Sequence, residues 1–185
     1  MESILSREVI SSKTILRALG VIFFVLTITL SAFVRIPLPF TPVPLTLQTF
    51  FVLLSGAFLG IRLGVFTQIV YVLLGVIGIP VFTGTLTGLV YLTGPTAGYL
   101  FGFMVATIFV ASLIKYAKNN LFLIIAIFCI ADLLLLLCGS TWLKISLHLN
   151  WARSLFIGFI PFLIGDILKA SLAAVLFWKL KPGIK

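Results

Sequence analysis

Long apolar stretches, separated by short polar breaks or by clusters of proline and glycine, run along almost the whole chain. Taken in order they predict six membrane helices, at about residues 14–34, 44–60, 62–78, 96–116, 121–143 and 152–178. A polar lead precedes them at 1–13 and is expected on the cytosolic side. Each stretch approaches or exceeds the roughly 17–25 residues that a helix needs to cross a hydrocarbon core. Gly60, Ile61 and Arg62 read as a tight turn between the second and third helices, and Pro161 interrupts the last. The expected fold is an all-α integral membrane protein, one transmembrane domain over 1–185.

Two of the breaks are more than turns. Between the first and second helices stand Pro37, Pro39, Pro42 and Pro44. Proline removes a backbone donor and pushes the residue before it out of the helical region, so this segment is extended. It should be ordered and folded against the bundle, because irregular backbone is not tolerated in contact with lipid. Between the third and fourth helices, residues 78–95 are rich in glycine and threonine and carry no charge. A long neutral connection with apolar residues of its own suits a lid better than a disordered linker.

Polar side chains inside the apolar stretches narrow the chemistry. Asp166 and Lys169 are three residues apart, hence on one helix face. Each charge at bilayer depth costs at least about 2.5 kcal/mol on insertion scales. A chain that keeps both has either paired them to fix helix packing or aimed them at a polar ligand, and the ligand reading is preferred. Gln48, at the start of the second helix, needs an amide partner on a neighbouring helix or on a ligand. Asp132, within the fifth, has no partner nearby in sequence and should either face the interior or be held neutral.

Composition fits the helix pattern. With 62% hydrophobic and 9% charged residues, no soluble domain of 185 residues could hide its apolar surface. The net charge of +9 does not point to nucleic acid, because the basic residues sit mainly at helix ends. Arg7, Lys13, Arg17, Arg62, Lys115, Lys118, Lys179, Lys181 and Lys185 fall on one side of six crossings. Only Arg35, Lys144 and Arg153 fall on the other. Both termini are therefore expected in the cytoplasm, and the proline and glycine-threonine loops outside, above the charged pair. Trp142, Trp151 and Trp178 lie at helix ends, as an aromatic belt would place them. Cys129 and Cys138 have no ligating companions, so packing rather than a metal is their expected role. The chain has no Walker loop and no HExxH, and its single histidine, His148, stands in a polar connection. A membrane enzyme would need Asp132, Asp166 and Lys169 clustered with a nucleophile or metal, and no spacing suggests one. Thr14 and Ala18 form a small-xxx-small pair at the start of the first helix, suited equally to packing within the bundle or to an outside helix.

Four motifs taken together resemble the BioY family, the biotin-binding S component of energy-coupling factor (ECF) transporters. They are TPVPLTLQ at 41–48, GVIGIPVF at 75–82, GPTAGY at 94–99 and GDILKA at 165–170. The resemblance runs from about residue 14 to 178. It implies a six-helix membrane protein of the bacterial cytoplasmic membrane that captures biotin at its outer face, without enzyme activity or a cofactor. Asp166 and Lys169 would bind the ureido ring. Phe82, Tyr91 and Tyr99 are candidate walls for the fused sulfur ring and aliphatic tail. The loops between helices 1 and 2 and between 3 and 4 would close over the ligand. Some family members carry an arginine directly after the Gly-Tyr pair for the biotin carboxylate, whereas Leu100 follows Tyr99 here. The hydroxyls of Thr85 or Thr87, outward basic residues or water are left for that role. The implied partners are a membrane coupling subunit, met through Thr14 and Ala18, and two ATP-binding-cassette ATPases. An S component for another micronutrient is the nearest alternative.

Overall fold

The computed structural model describes residues 2–82 and 88–181, with residues 2–12 as backbone only. The chain is almost entirely helical, in the order α1 (Glu2–Phe33), β1 (Arg35–Ile36), β2 (Leu45–Thr46), α2 (Gln48–Val76), α3 (Leu89–Thr93), α4 (Ala97–Leu113), α5 (Leu121–Ser146), α6 (Trp151–Gly158) and α7 (Leu163–Leu180). Short 3-10 turns follow α4, at Ile114–Ala117, and precede α7, at Ile160–Phe162. Among the described residues, five helical segments are long and apolar enough to cross a membrane: Lys13–Phe33, Gln48–Val76, Ala97–Ala117, Leu121–Ser146 and Trp151–Leu180.

The segment Gln48–Val76 is not straight. Gly60 has φ 72° and ψ −176°, a backbone conformation open in practice only to glycine. In a straight helix the Cα atoms of residues 48 and 71 would stand about 35 Å apart. Instead Gln48 Nε2 donates to Tyr71 Oη at 2.7 Å, and Gln68 Nε2 donates to Ser55 Oγ at 2.9 Å. The two arms therefore run antiparallel, folded back at the Gly60 turn that the sequence predicts.

The proline-rich segment also differs from a plain loop. Arg35 pairs with Thr46 and Ile36 with Leu45 in a two-stranded antiparallel ribbon, with the four prolines at its tip. Residues 44–47, expected in the second helix, thus belong to the ribbon and its exit, and α2 begins only at Gln48. The cause is local: Pro42 and Pro44 cannot supply helical donors, whereas extended residues next to them find partners across the ribbon. The bundle's other breaks are capped conventionally. The Asn120 and Asn150 side chains accept from the backbone N–H groups of Leu123 and Arg153, starting α5 and α6. The 3-10 turn at Pro161 separates α6 from α7.

The core is lined by side chains such as Ile28, Val52, Leu53, Phe128, Leu135 and Leu143, all nearly or fully inaccessible. The outer faces are just as apolar: Leu16, Phe33, Phe101, Phe122, Ile164 and Leu172 are each more than half exposed. A soluble domain does not present so continuous an apolar surface, and a lipid environment accounts for it. Hydrocarbon outside removes the hydrophobic drive between helices, leaving close packing and buried hydrogen bonds to fix their arrangement. Trp142 supplies one such bond, donating Nε1–H to the Gly94 carbonyl at 2.9 Å. At the surface, Trp178 donates to the Asn119 side-chain oxygen at 3.0 Å and ties the end of α7 to the segment just before α5.

Candidate functional site

The first two turns of α7 hold the charged pair. Asp166 is 2% exposed, and its carboxylate forms an ion pair with the Lys169 ammonium, whose side chain is 14% exposed. The i,i+3 spacing makes that contact possible without help from another element. The ammonium also donates to the Thr46 carbonyl at 2.7 Å, reaching from α7 to the end of β2. Beside it, Leu45 seats on Gly165, where a Cβ would stand 3.3 Å from Leu45 Cδ2. The proline ribbon is thus fastened directly onto the charged turn.

Gln48 extends the network in a second direction. Its backbone N–H reaches Thr46 Oγ1 at 3.4 Å, and its amide donates to Tyr71. The Tyr71 hydroxyl then donates to the Val81 carbonyl at 3.0 Å. One chain of bonds therefore joins the ribbon, the second arm of α2 and the segment that follows it. Phe82 stacks on Tyr91 with ring centroids 4.1 Å apart and meets Tyr71 edge-on at 5.6 Å. Gly75 leaves room for Phe82, whose ring would collide with any Cβ there. Tyr99 lies against Gly139 in the same way and donates its hydroxyl to the Gly158 carbonyl at 2.6 Å. This bond braces the end of α6 just before the Pro161 turn.

These elements enclose a cavity of about 50 Å³ lined by Gln48, Tyr91, Tyr99, Asp166 and Lys169. Five of the candidate residues named from the sequence thus share one space. Phe82 does not line it and stands behind Tyr91 instead. Thr85 and Thr87 lie outside the described residues. Thr14 and Ala18 are exposed on α1, away from the cavity. The sequence reading missed other lining residues, among them Thr46, Thr49, Phe103, Leu135, Leu136 and Phe162. Thr46 belongs to the TPVPLTLQ motif and could have been named from it. Leu135 and Leu136 are two leucines in a run of five, with no local sign of their position.

A larger hollow, about 650 Å³, lies along α4 and α5, lined by Phe101, Met104, Leu137 and Trp142 among others. No charged side chain among the described residues lines it. A specific ligand needs a few placed polar groups within apolar walls, so the smaller, charged cavity is the better candidate despite its volume.

An all-helical, multi-pass membrane protein with a charged cleft under a proline-rich ribbon is the class that these features define. The chain belongs to the BioY family, whose sequence profile matches residues 6–185. It is 37% identical over 158 residues to the biotin transporter BioY of Thermotoga maritima, covering 85% of this chain and 91% of that one. It is 37% identical over 144 residues to a probable biotin transporter BioY of Pyrococcus horikoshii, covering 76% and 82%. Biotin transporter BioY2 of Lactococcus lactis is 38% identical over 138 residues, covering 75% and 76%. Its fold matches the crystal structure of the S component for biotin from an ECF-type ABC transporter, with a TM-score of 0.85 and 25% identity, covering 93% of this chain and 94% of that one.

Proposed function

We propose that this chain is a biotin-capture subunit of an ECF-type transporter, a non-enzymatic protein whose ligand site is the Asp166–Lys169 turn and its walls. The observation that carries the reading is the buried ion pair beneath the ribbon, in a chain whose family and fold neighbours are named for biotin. The cyclic urea of biotin offers two N–H donors and one carbonyl acceptor. A carboxylate accepts from an N–H, and an ammonium donates to the carbonyl. Gln48 adds an amide beside them, and Tyr91, Tyr99 and Phe103 offer surface to the sulfur ring and tail. Phe82 acts by backing Tyr91. Thr85 and Thr87 are proposed to meet the carboxylate at the far end of the tail.

A cavity of about 50 Å³ is well below the roughly 300 Å³ at which ligand sites begin. Admission of biotin therefore requires the ribbon to lift and the bond from Lys169 to Thr46 to open. The antiparallel arms of α2 support a count of six crossings, with the Gly60 turn on the same side as the termini. That side carries Lys13, Arg17, Arg62, Lys115, Lys118, Lys179 and Lys181, which supports placing it in the cytoplasm. The ribbon and the site then face outward. The fold neighbour is an S component from an ECF-type ABC transporter, which supports uptake that relies on a coupling subunit, met through Thr14 and Ala18, and on two ATPases.

Titration of biotin into purified wild-type protein and Lys169→Met in detergent tests the reading. Saturable binding by wild type, lost in a variant that keeps its helicity and melting profile, is expected. No binding by folded wild type, or unchanged binding by the variant, would overturn it.

A further inference from the structure

The site as drawn so far leaves one buried acid without a role. Asp132, on α5, is 2% exposed, and neither of its carboxyl oxygens has a hydrogen-bond partner. It lies one helical turn before Leu135 and Leu136, which form part of the cavity wall. Cys129, three residues earlier on the same face, meets Ser171 of α7 at 3.9 Å, so this face of α5 packs on α7. Asp132 thus stands on the face of α5 that is turned to α7, the helix that carries Asp166 and Lys169. A buried polar group without partners is costly, and in a native protein it calls for an explanation.

Resting on the reading of the site given above, we propose that Asp132 is the standby counter-charge of Lys169, a positioning residue that engages when ligand occupies the cavity. Lys169 is already satisfied by Asp166 and by the Thr46 carbonyl. A ureido ring entering between them takes Asp166 as acceptor for its N–H and Lys169 as donor to its carbonyl. The ribbon's carbonyl is withdrawn at the same time. The ammonium, which has three N–H donors, then lacks an acceptor on the protein side, and the unpartnered carboxyl of Asp132 lies within its field. The penalty of an Asp132 carboxyl without a protein partner is recovered when biotin binds.

This assigns Asp132→Asn an unusual pair of effects. Removal of an unpartnered buried carboxyl should leave the thermal midpoint of the ligand-free protein unchanged or raised. Biotin affinity should nevertheless fall by about tenfold or more, since the bound-state counter-charge is gone. The experiment is a biotin titration and a ligand-free melt of wild type and Asp132→Asn in one detergent, with Asp132→Ser as the second variant. Affinity equal to wild type in both variants overturns the proposal, as does lost affinity with a lowered ligand-free midpoint or failure to fold, either of which assigns Asp132 to packing. If folded wild type itself does not bind biotin, the reading of the site falls and this inference with it. Binding by wild type with unchanged variants removes this inference alone.

Discussion

Helices α1 and α7 are both long and apolar, but they place their exceptions on opposite faces. The inner face of α7 carries Asp166, Ala170, Ala173 and Ala174, all buried, while Ile164, Leu168 and Leu172 point outward. Small residues let α5 and α2 approach closely, and the one acid among them faces the cavity. The inner face of α1 is mainly apolar, with Val21, Phe24, Ile28 and Ala32 beside Ser31, whose hydroxyl is spent on the Ile28 carbonyl of its own helix, while the pair Thr14 and Ala18 is exposed. In α7 the departure from apolarity faces the cavity proposed to hold the ligand. In α1 it is aimed outward, at the surface proposed for a partner helix. Where a polar or small residue points therefore separates recognition of a ligand from recognition of a protein more clearly than its presence does.

The comparison breaks first, if at all, at Lys169. Lys169→Met removes the donor proposed for the ureido carbonyl, and the loss is expected to exceed about 100-fold in biotin affinity, in line with the roughly 2–5 kcal/mol for truncating one partner of a buried charged contact to a ligand. Equilibrium binding with a parallel melt reads it; lost stability with retained affinity would mean that the pair serves packing. On the other helix, Ala18→Trp should leave biotin affinity within about twofold of wild type, because exposed positions away from a site are nearly neutral. The same substitution should cut transport in a reconstituted complex by about tenfold, since bulk at a small-residue contact keeps helices apart. Equal transport would move the partner surface elsewhere. Tyr91→Leu, which removes the ring stacked on Phe82, should weaken biotin by about tenfold, in line with the ~0.5–1.5 kcal/mol of an aromatic pair plus lost contact area. The smallest effect belongs to the scaffold. Gly60→Ala forces a side chain into a backbone conformation reserved for glycine and should destabilise the fold by about 1–3 kcal/mol without a direct effect on the ligand site. A chemical denaturation curve measures it, and an unchanged midpoint would show that the α2 arms do not depend on that turn.

The parts legible in the sequence were those with local causes. Asp166 and Lys169 are neighbours by helix geometry alone, the four prolines exclude a helix wherever they stand, and Gly60 with Arg62 marks a turn from its own chemistry. What escaped was set by contacts between distant residues. Nothing near Arg35 announces its pairing with Thr46, and nothing near Lys169 announces a hydrogen bond to a carbonyl 123 positions earlier. Gln48 shows the boundary well. Its need for a partner follows from an amide in an apolar helix, but the identity of that partner, Tyr71, depends on how the chain folds back at Gly60. Phe82 looked like a wall residue because it is aromatic and close to Tyr91 in the chain; the stacking that joins them turns one face to the cavity and leaves the other ring behind it.

The placement of Lys169 against the ureido carbonyl is tested most directly by the 2-imino analogue of biotin, in which a cyclic guanidine, cationic at neutral pH, replaces the urea. Wild-type protein should prefer biotin to the analogue by about 100-fold or more, because the analogue would bring a second cation against the ammonium at low dielectric. Lys169→Met should lose most of that preference. Equal affinity of wild type for the two ligands would contradict the assignment and place the ureido group away from the Asp166–Lys169 turn.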